Sequence, residues 1–257
     1  MPQVSSAVAS HPGLRRPGNE DAYSTRVDLG LYIVADGMGG HAAGEVASRM
    51  AIDAIESFIA DTQLPTPEGY GWPVPYDDVL SFEGNRLRAA FLLANRRLSE
   101  AMAGDGALRG MATTAAAVLI TASASAVAHV GDSRVYRWRG GELLPLTQDH
   151  SWVGEQVRAG VLTDDDARRH PWRNVVTRAI GGSAEPTVDV SALELAAGDR
   201  LLLCSDGLSA VVTHERLEGI FARGASLQET CDALIEVAND AGGPDNITAL
   251  IVQIDVA

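Results

Sequence analysis

The spacing of hydrophobic and polar positions along the chain predicts a mixture of helices and short strands. Over several stretches apolar residues recur every three to four positions, as on the buried face of an amphipathic helix. The helices predicted in this way cover 44–61, 86–102, 213–222 and 226–241. The last begins with a capping box, Ser226 and Glu229, and ends at the glycine pair after Ala241.

Short apolar runs bounded by Gly, Asp and Ser predict the strands. They cover 3–10, 22–27, 31–35, 111–121, 124–130, 133–138, 142–146, 187–195, 199–204 and 247–255. Most are joined by short turns such as Gly140-Gly141, which indicates mainly antiparallel pairing. Two antiparallel sheets with helices outside bury this many apolar strands most simply, so the predicted class is α+β.

Two segments depart from the core-forming pattern. The stretch 62–85 holds four of the 11 prolines together with Tyr70, Trp72 and Tyr76, and it predicts an ordered surface loop, since aromatic residues are rare in disorder. The stretch 151–169 is polar, with two short helical segments. A chain of 257 residues fits one large domain or two small ones; we expect a single domain over 1–257.

Composition narrows the function further. The net charge of -14 argues against a nucleic-acid-binding surface, which needs clustered basic residues. Cys204 lies in a predicted strand and Cys231 in a predicted helix, so buried thiols are expected rather than a disulfide. The N-terminus has no signal-peptide pattern, and no apolar run reaches the length of a membrane span. The expectation is a cytoplasmic monomer with no membrane or nucleic-acid partner.

Aspartates stand at the ends of four apolar runs, and this recurrence is the strongest chemical signal. Asp36 follows 31–35 and precedes several glycines, Asp206 follows another run, Asp132 a third, and Asp245 comes just before the last strand. Such residues are also common turn formers. Converging carboxylates, however, repel one another unless a cation lies between them. Because every candidate ligand is an oxygen, Mg²⁺ or Mn²⁺ is favoured over zinc.

These aspartates belong to short motifs spread along the whole chain. The motifs are Arg16–Asp21, Asp36–His41, Thr113-Thr114, Gly131–Arg134, Leu146–Ser151, Arg178–Gly182, Ser205–Leu208 and Asp245–Thr248. In this order they resemble the PP2C (PPM) family of metal-dependent protein serine/threonine phosphatases, in its compact bacterial form, over about 4–252. The resemblance implies a four-layer α-β-β-α sandwich with a metal site at one end of the sheet pair.

The resemblance also implies roles for individual residues, beginning with the metal ligands. Asp36 is similar to the carboxylate that bridges two metal ions. The main-chain carbonyl of Gly37 is similar to a ligand of one ion, and Asp206 and Asp245 to ligands of the other. Asp132, together with Asp206, resembles the pair that binds a third, weaker ion.

The remaining implied roles concern water, substrate and leaving group. Glu20 and Asp21 resemble acids that hold metal-bound waters, Arg16 the phosphate-binding arginine and His41 the proposed general acid. The segment 151–172 lies where the family has a mobile flap. Alternative readings remain for three residues: Asp132 as one half of a salt bridge, Arg16 as a solvated charge and His41 as a helix cap.

The implied chemistry is hydrolysis of phosphoserine and phosphothreonine on proteins, such as the products of a Ser/Thr kinase. Two ions about 3.5–4 Å apart share a bridging water and lower its pKa, so that the water attacks phosphorus in line. No protein nucleophile is then required. Two alternatives remain open: a catalytically silent sensor that binds phosphoproteins, and a phosphomonoesterase for small molecules. His129 and His150 are expected to be structural, and Cys204 to be a core thiol.

Overall fold

Two antiparallel sheets, covered on their outer faces by helices, organise the chain. The computed structural model describes residues 3–39, 43–63, 72–182 and 185–255. The strands are β1 Val4–His11, β2 Asp21–Arg26, β3 Leu31–Met38, β4 Ala112–Thr113, β5 Ala115–Ile120, β6 Ser125–Val130, β7 Arg134–Arg139, β8 Glu142–Pro145, β9 Asp189–Ala192, β10 Arg200–Cys204 and β11 Ile247–Ile254. The helices are α1 Ala43–Asp61, α2 Phe82–Gly104, α3 Trp152–Arg158, α4 Asp164–Arg169, α5 Asp206–Ser209, α6 His214–Phe221 and α7 Leu227–Asp240.

The strand order brings the termini of the chain together. One sheet has the order β1-β11-β10-β7-β8 and the other β2-β3-β5-β6-β9, with the short β4 paired to β3. Neighbouring strands in both sheets are antiparallel. The predicted antiparallel pairing is therefore confirmed.

Three apolar layers fill the spaces between the elements. Between the sheets, Tyr32 and Val118 of one face Leu203 and Leu250 of the other. Helices α1 and α2 cover the outer face of the β3-containing sheet, and α6 and α7 cover the outer face of the β10-containing sheet. Removing this much apolar surface from water is the main stabilising contribution. The result is the α-β-β-α sandwich that the family resemblance implied.

The second helix begins earlier than its apolar pattern predicts. It starts at Phe82 rather than at 86, because the hydroxyl of Ser81 caps it by accepting a hydrogen bond from the Gly84 main-chain N–H at 3.0 Å. The first turn buries Glu83 and Asn85 through hydrogen bonds, so it carries no apolar signal. The predicted loop 62–85 therefore ends at Ser81.

Part of that loop is ordered around a cluster of rings. Trp72 packs against Phe58, Tyr76 and Phe82, with ring centroids 6.3, 5.1 and 5.9 Å away. Within the predicted loop, Trp72 therefore lies against helices α1 and α2 and Tyr76 packs on Trp72, whereas Tyr70 lies outside the described residues.

Most remaining elements begin and end within a residue or two of the predicted bounds, with three exceptions. Strand β3 continues to Met38 and so contains Asp36, β9 covers only part of the predicted 187–195, and helix α5 was not predicted. The predicted strand 111–121 is divided into β4 and β5 at Thr114. The polar stretch after 150 forms the two short helices α3 and α4. Among the described residues, no helix is both long enough and apolar enough to cross a bilayer.

Candidate active site

Two acidic side chains face each other at one end of the β2–β3 pair. Asp21 begins β2 and stands opposite Asp36 of β3 in the antiparallel register. One oxygen of Asp21, Oδ2, accepts hydrogen bonds from Ser205 Oγ at 2.7 Å and from Thr248 Oγ1 at 2.6 Å. Because Ser205 directly follows β10 and Thr248 lies in β11, this carboxylate joins the two sheets where the aspartates meet.

A third acidic group arrives from β10. That strand ends at Cys204, and Asp206 opens the short helix α5. The turn packs tightly, since a Cβ atom on Gly207 would lie 2.0 Å from the main-chain oxygen of Asn246. Besides burial, the charge of Asp206 raises the pKa of Asp36, so the two carboxyl groups interact electrostatically. Carboxyl groups of both sheets therefore meet at this end.

Asp132 reaches the same end from the β6–β7 turn. Gly131, in the left-handed region at φ 103°, allows the turn, and a Cβ there would lie 2.5 Å from the Thr114 side chain. Thr114 contacts Ser133 through their hydroxyl oxygens, 2.7 Å apart, and its N–H donates to the Asp36 main-chain oxygen at 2.9 Å. The threonine therefore ties the Asp132 turn to the Asp36 strand.

Mutual repulsion and burial dominate the electrostatics of these carboxyl groups. Burial raises the pKa of Asp21 to about 7 and that of Asp206 to about 6, and neighbouring aspartates add to both shifts. The pKa values of Asp36 and Asp132 are also raised well above their usual range, first by burial and then by the other acids. Without a cation, the cluster therefore retains protons near neutral pH.

Two of the buried carboxylate oxygens have no hydrogen-bond partner among the described residues. They are Asp21 Oδ1 and Asp206 Oδ1. A buried polar atom of this kind costs free energy unless something binds it. Divalent cations with a preference for oxygen ligands fit this donor set, since they would pair the free oxygens and offset the repulsion.

Glu20 and Gly37 lie beside the cluster in a very close backbone contact. The Gly37 N–H donates to the Glu20 main-chain oxygen at 3.2 Å. A Cβ on Gly37 would lie 2.0 Å from the Gly44 oxygen, and one on Gly44 would lie 2.6 Å from Glu20 Oε1. Glycine is therefore required at Gly37 for helix α1 to approach β3, and at Gly44 it leaves room for the Glu20 side chain. Burial raises the pKa of Glu20.

Arg16 is held by Asp245 at the open side of the cluster. Its Nη2 atom donates to Asp245 Oδ2 at 2.6 Å, and its side chain is 49% exposed. This hydrogen bond raises the pKa of Arg16. The guanidinium has a partner within the candidate site, which argues against the solvated-charge reading of Arg16.

The loop that carries Arg16 is fastened by Asn246, which sequence reasoning gave no role. The buried amide donates to the Pro12 and Gly18 carbonyl oxygens at 3.0 and 2.8 Å and accepts from the Glu20 N–H at 2.8 Å. Asn246 lies in a motif already noted in the sequence, but only the fold shows which groups it holds. Ser205 and Thr248 were missed for the same reason.

The structure bears differently on the roles predicted for Asp132, His41 and Cys204. The salt-bridge alternative for Asp132 receives no support, because the neighbouring Arg134 pairs in a bidentate manner with Asp149, at 2.8 and 2.7 Å. His41 lies outside the described residues, so its role as general acid stays a prediction. Cys204 is fully buried, as expected of a core thiol.

A second polar group lies beside the cluster, on β6 and the segment after β8. Ligand-type atoms of His129, His150 and Asp189 lie within 4.8 Å of one another. His129 Nε2 donates to the Gln148 carbonyl oxygen at 2.8 Å, and His150 Nδ1 accepts from the Gly131 N–H at 3.1 Å. Nε2 of His150 therefore carries its proton and faces Asp189 Oδ2 at 3.2 Å. These contacts favour the predicted structural role over metal binding.

The chain is similar in sequence to a known protein family and to individual proteins within it. The profile of the family described as protein phosphatase 2C matches residues 16–241. The protein phosphatase PhpP of Streptococcus pneumoniae is 36% identical over 247 residues, which cover 95% of this chain and 94% of that protein.

Solved structures agree with the sequence comparison. The serine/threonine phosphatase of S. agalactiae superposes with a TM-score of 0.86 at 33% identity, covering 98% of this chain and all of the other. The catalytic domain of the serine/threonine protein phosphatase PstP, solved with two manganese ions, gives 0.80 at 34% identity, with 98% and 99% coverage.

Proposed function

We propose, because the chain belongs to the protein phosphatase 2C family, that it hydrolyses phosphoserine and phosphothreonine on proteins. The observation that carries the proposal is the convergence of carboxyl groups with two buried oxygens, Oδ1 of Asp21 and Oδ1 of Asp206, that have no hydrogen-bond partner among the described residues. Relatives bearing this fold are named serine/threonine phosphatases, and one of them was solved with manganese.

The carboxylates supply the groups expected to hold Mn²⁺ or Mg²⁺. We assign Asp36, Asp206 and Asp245, with the Gly37 carbonyl, to a two-ion core, and Asp132 with Asp206 to a third, weaker ion. Glu20 and Asp21 hold water around these ions. Bound ions of this class supply positive charge and acidify water, so that hydrolysis proceeds at neutral pH without a protein nucleophile.

The chain's own side chains orient the substrate. Arg16 stands half-exposed beside Asp245, and its planar guanidinium matches two oxygens of a phosphate group. A phosphate that accepts from Arg16 is thereby held next to the carboxylates. His41 follows the glycines after Asp36 in the sequence, and we retain it as the proton donor to the leaving serine or threonine oxygen.

The rest of the proposal concerns the setting in which the enzyme acts. Its substrates are phosphoproteins, including products of a Ser/Thr kinase, and it acts as a monomer with one domain. The segment 151–172, called the flap from here on, influences the choice of substrate. The cysteines Cys204 and Cys231 are buried and unpaired, which suits signalling in the reducing cytoplasm.

A turnover assay tests the proposal against its alternatives. The protein should release phosphate from a phosphoserine peptide with Mn²⁺, lose this activity in excess EDTA and regain it when Mn²⁺ is restored. A silent sensor would bind the peptide without turnover. A small-molecule esterase would hydrolyse sugar or nucleotide phosphomonoesters far better than peptides. Full peptide turnover in excess EDTA would contradict the metal-dependent mechanism.

A further inference from the structure

A cavity of about 450 Å³ lies between the flap and helices α5 and α6. Asp132 and Asp206 line its inner end, so it is continuous with the third-ion side of the carboxylate cluster. Its floor is aliphatic, with contributions from Val153, Val212 and Leu217. Arg16, Asp36 and Asp245 do not line it. A side chain in this cavity would thus lie beside the phosphate site and not within it.

The outer wall of the cavity is cationic in a strongly acidic chain. All 20 basic residues of the sequence are arginines, against 34 acidic residues. Arg158, Arg168 and Arg173 line the cavity together. Arg158 donates to the main-chain oxygen of Asp149 at 2.9 Å, and Arg168 contacts Asp165 at 3.2 Å on the surface. Across the described residues, the Arg173 guanidinium has no hydrogen bond or ion pair.

Acidic groups that line the same cavity leave most of this charge uncompensated. Asp149 is already neutralised by its two hydrogen bonds from Arg134. Asp132 and Asp206 belong to the carboxylate cluster that we assign to cations. Glu215, at the start of α6, is the remaining lining acid among the described residues. Arg168 is paired with Asp165, so Arg158 and Arg173 against Glu215 give the outer cavity a net positive charge.

We propose that this cavity binds a second anionic side chain of the substrate, a carboxylate or a phosphate, carried close to the phosphorylated residue. The inference rests on the proposed function and specifies its substrate class: phosphopeptides with an acidic or doubly phosphorylated sequence. Guanidinium groups recognise both anions through charge-assisted hydrogen bonds. The aliphatic floor accommodates the methylene groups that precede the anion.

Three phosphoserine peptides of otherwise identical sequence test the proposal in the presence of Mn²⁺. One has alanine at the flanking positions, one aspartate, and one a non-hydrolysable phosphonate residue, so that the second and third distinguish carboxylate from phosphate recognition. We expect kcat/KM for the anionic peptides to exceed that for the alanine peptide by about 10-fold, the size of one charge-assisted hydrogen bond. Equal values for all three overturn the inference.

Matched arginine variants locate the effect. Arg173→Gln should remove most of the preference for anionic peptides and leave turnover of the alanine peptide and of para-nitrophenyl phosphate unchanged. Arg169→Gln is the control, since Arg169 neighbours Arg168 on α4 but does not line the cavity. Glu215→Gln should increase the preference. Equal effects of the Arg173 and Arg169 variants would contradict a specific site.

A binding measurement separates this inference from the proposed function. Fluorescence anisotropy of labelled peptides reports affinity whether or not turnover occurs. If no peptide and no small ester is hydrolysed, the proposed function is wrong, and tighter binding of the anionic peptides that is lost in Arg173→Gln still supports the cavity. If turnover is present but binding shows no preference, only the cavity proposal is wrong. Thermal denaturation checks that each variant is folded.

Discussion

Two buried polar clusters lie next to each other in this protein, and they differ in how their groups are satisfied. In the first, the carboxyl groups around Asp36 and Asp206 repel one another, and two oxygens have no partner in the described part of the chain. In the second, His129 and His150 stack with ring centroids 4.5 Å apart, and Asp189 neutralises Arg178 at 3.1 Å. Only the first is incomplete without a ligand.

Whether the polar groups of a cluster are satisfied within the protein indicates which buried polar residues are functional. A cluster with complementary charges and filled hydrogen bonds stabilises the fold by itself. A cluster of like charges with free oxygens destabilises it, and is retained where a ligand or a reaction needs it. Asp206 is partly buried and His150 buried, and both have shifted pKa values, so a pKa shift alone would not separate them.

The largest effect should come from removing charge from the first cluster. Asp36→Asn, Asp206→Asn and Asp245→Asn should each lower kcat with a phosphopeptide by more than about 100-fold, since even residues that only support a metal ligand contribute about 10–100-fold. His129→Gln should keep kcat within a few-fold of the unaltered enzyme. Steady-state kinetics with Mn²⁺ measures both. Comparable losses of kcat in the aspartate variants and in His129→Gln would contradict a functional difference between the two clusters.

The next effect concerns Asn246, which positions the Arg16 loop. Asn246→Ala removes three hydrogen bonds and should reduce kcat/KM by about 10–100-fold, as for a residue supporting a metal site. Asn85→Ala is the matched control, because Asn85 is equally buried and also fastens a loop, bonding the N–H and carbonyl of Asp77 at 2.9 and 2.8 Å. Asn85→Ala should lower the free energy of unfolding and leave kcat/KM unchanged. An unchanged kcat/KM in Asn246→Ala would show that the loop is held by other contacts.

Sequence patterns could predict those features that depend on local order. The apolar run before Asp206 ends where β10 ends, whereas β3 continues past Asp36 to Met38. Helical spacing placed α1 and α7 within a residue or two of their ends. The family resemblance then supplied the four-layer arrangement. The candidate ligands were found for the same reason, since each stands within a few residues of the end of a regular element.

Features that depend on distant partners could not be predicted. Asn246 forms hydrogen bonds with groups more than 200 positions away in the sequence. Arg134 pairs with Asp149 and not with its near neighbour Asp132. The early start of α2 at Phe82 is set by a cap and by buried polar contacts, which give no apolar period. Nothing in one sequence indicates such pairings before the chain has folded.

A smaller effect should appear in stability without metal. Because the folded state raises the pKa of Asp206 to about 6, its charge destabilises the metal-free protein at pH 7.5. Asp206→Asn should increase the free energy of unfolding by on the order of 2–3 kcal/mol, from about 1.4 kcal/mol per pKa unit. Urea denaturation of metal-free protein provides the measurement.

Replacing Asp199 with asparagine should have the opposite effect on the free energy of unfolding. Its buried carboxylate accepts from Arg139 at 2.7 and 2.6 Å; although burial opposes ionisation, the bonds from Arg139 lower its pKa. Asp199→Asn should therefore decrease the free energy of unfolding, by about 1–3 kcal/mol. If Asp206→Asn and Asp199→Asn change the free energy of unfolding in the same direction, the unsatisfied charge of Asp206 does not destabilise the metal-free protein.

The smallest effect is a difference in pH dependence between the clusters. The folded state raises the pKa values of Asp21 and Asp206 above those of the unfolded chain, so between about pH 4 and 7 the unfolded chain binds fewer protons and stability falls as pH rises. Burial lowers the pKa values of His129 and His150. Below about pH 6.5 the unfolded chain then binds more protons at these rings, and their contribution rises with pH.

Denaturation midpoints of metal-free protein at several pH values between 4.5 and 7.5 resolve the two slopes. Asp206→Asn should flatten the fall, by at most about 1.4 kcal/mol per pH unit for one proton. His129→Gln should steepen it, because the opposing contribution of that ring is lost. Saturating Mn²⁺ should remove the fall caused by the carboxyl groups, since a cation favours their ionised forms, and leave the histidine contribution in place. An Asp206→Asn profile parallel to that of the unaltered protein would mean that Asp206 does not retain its proton in the folded state.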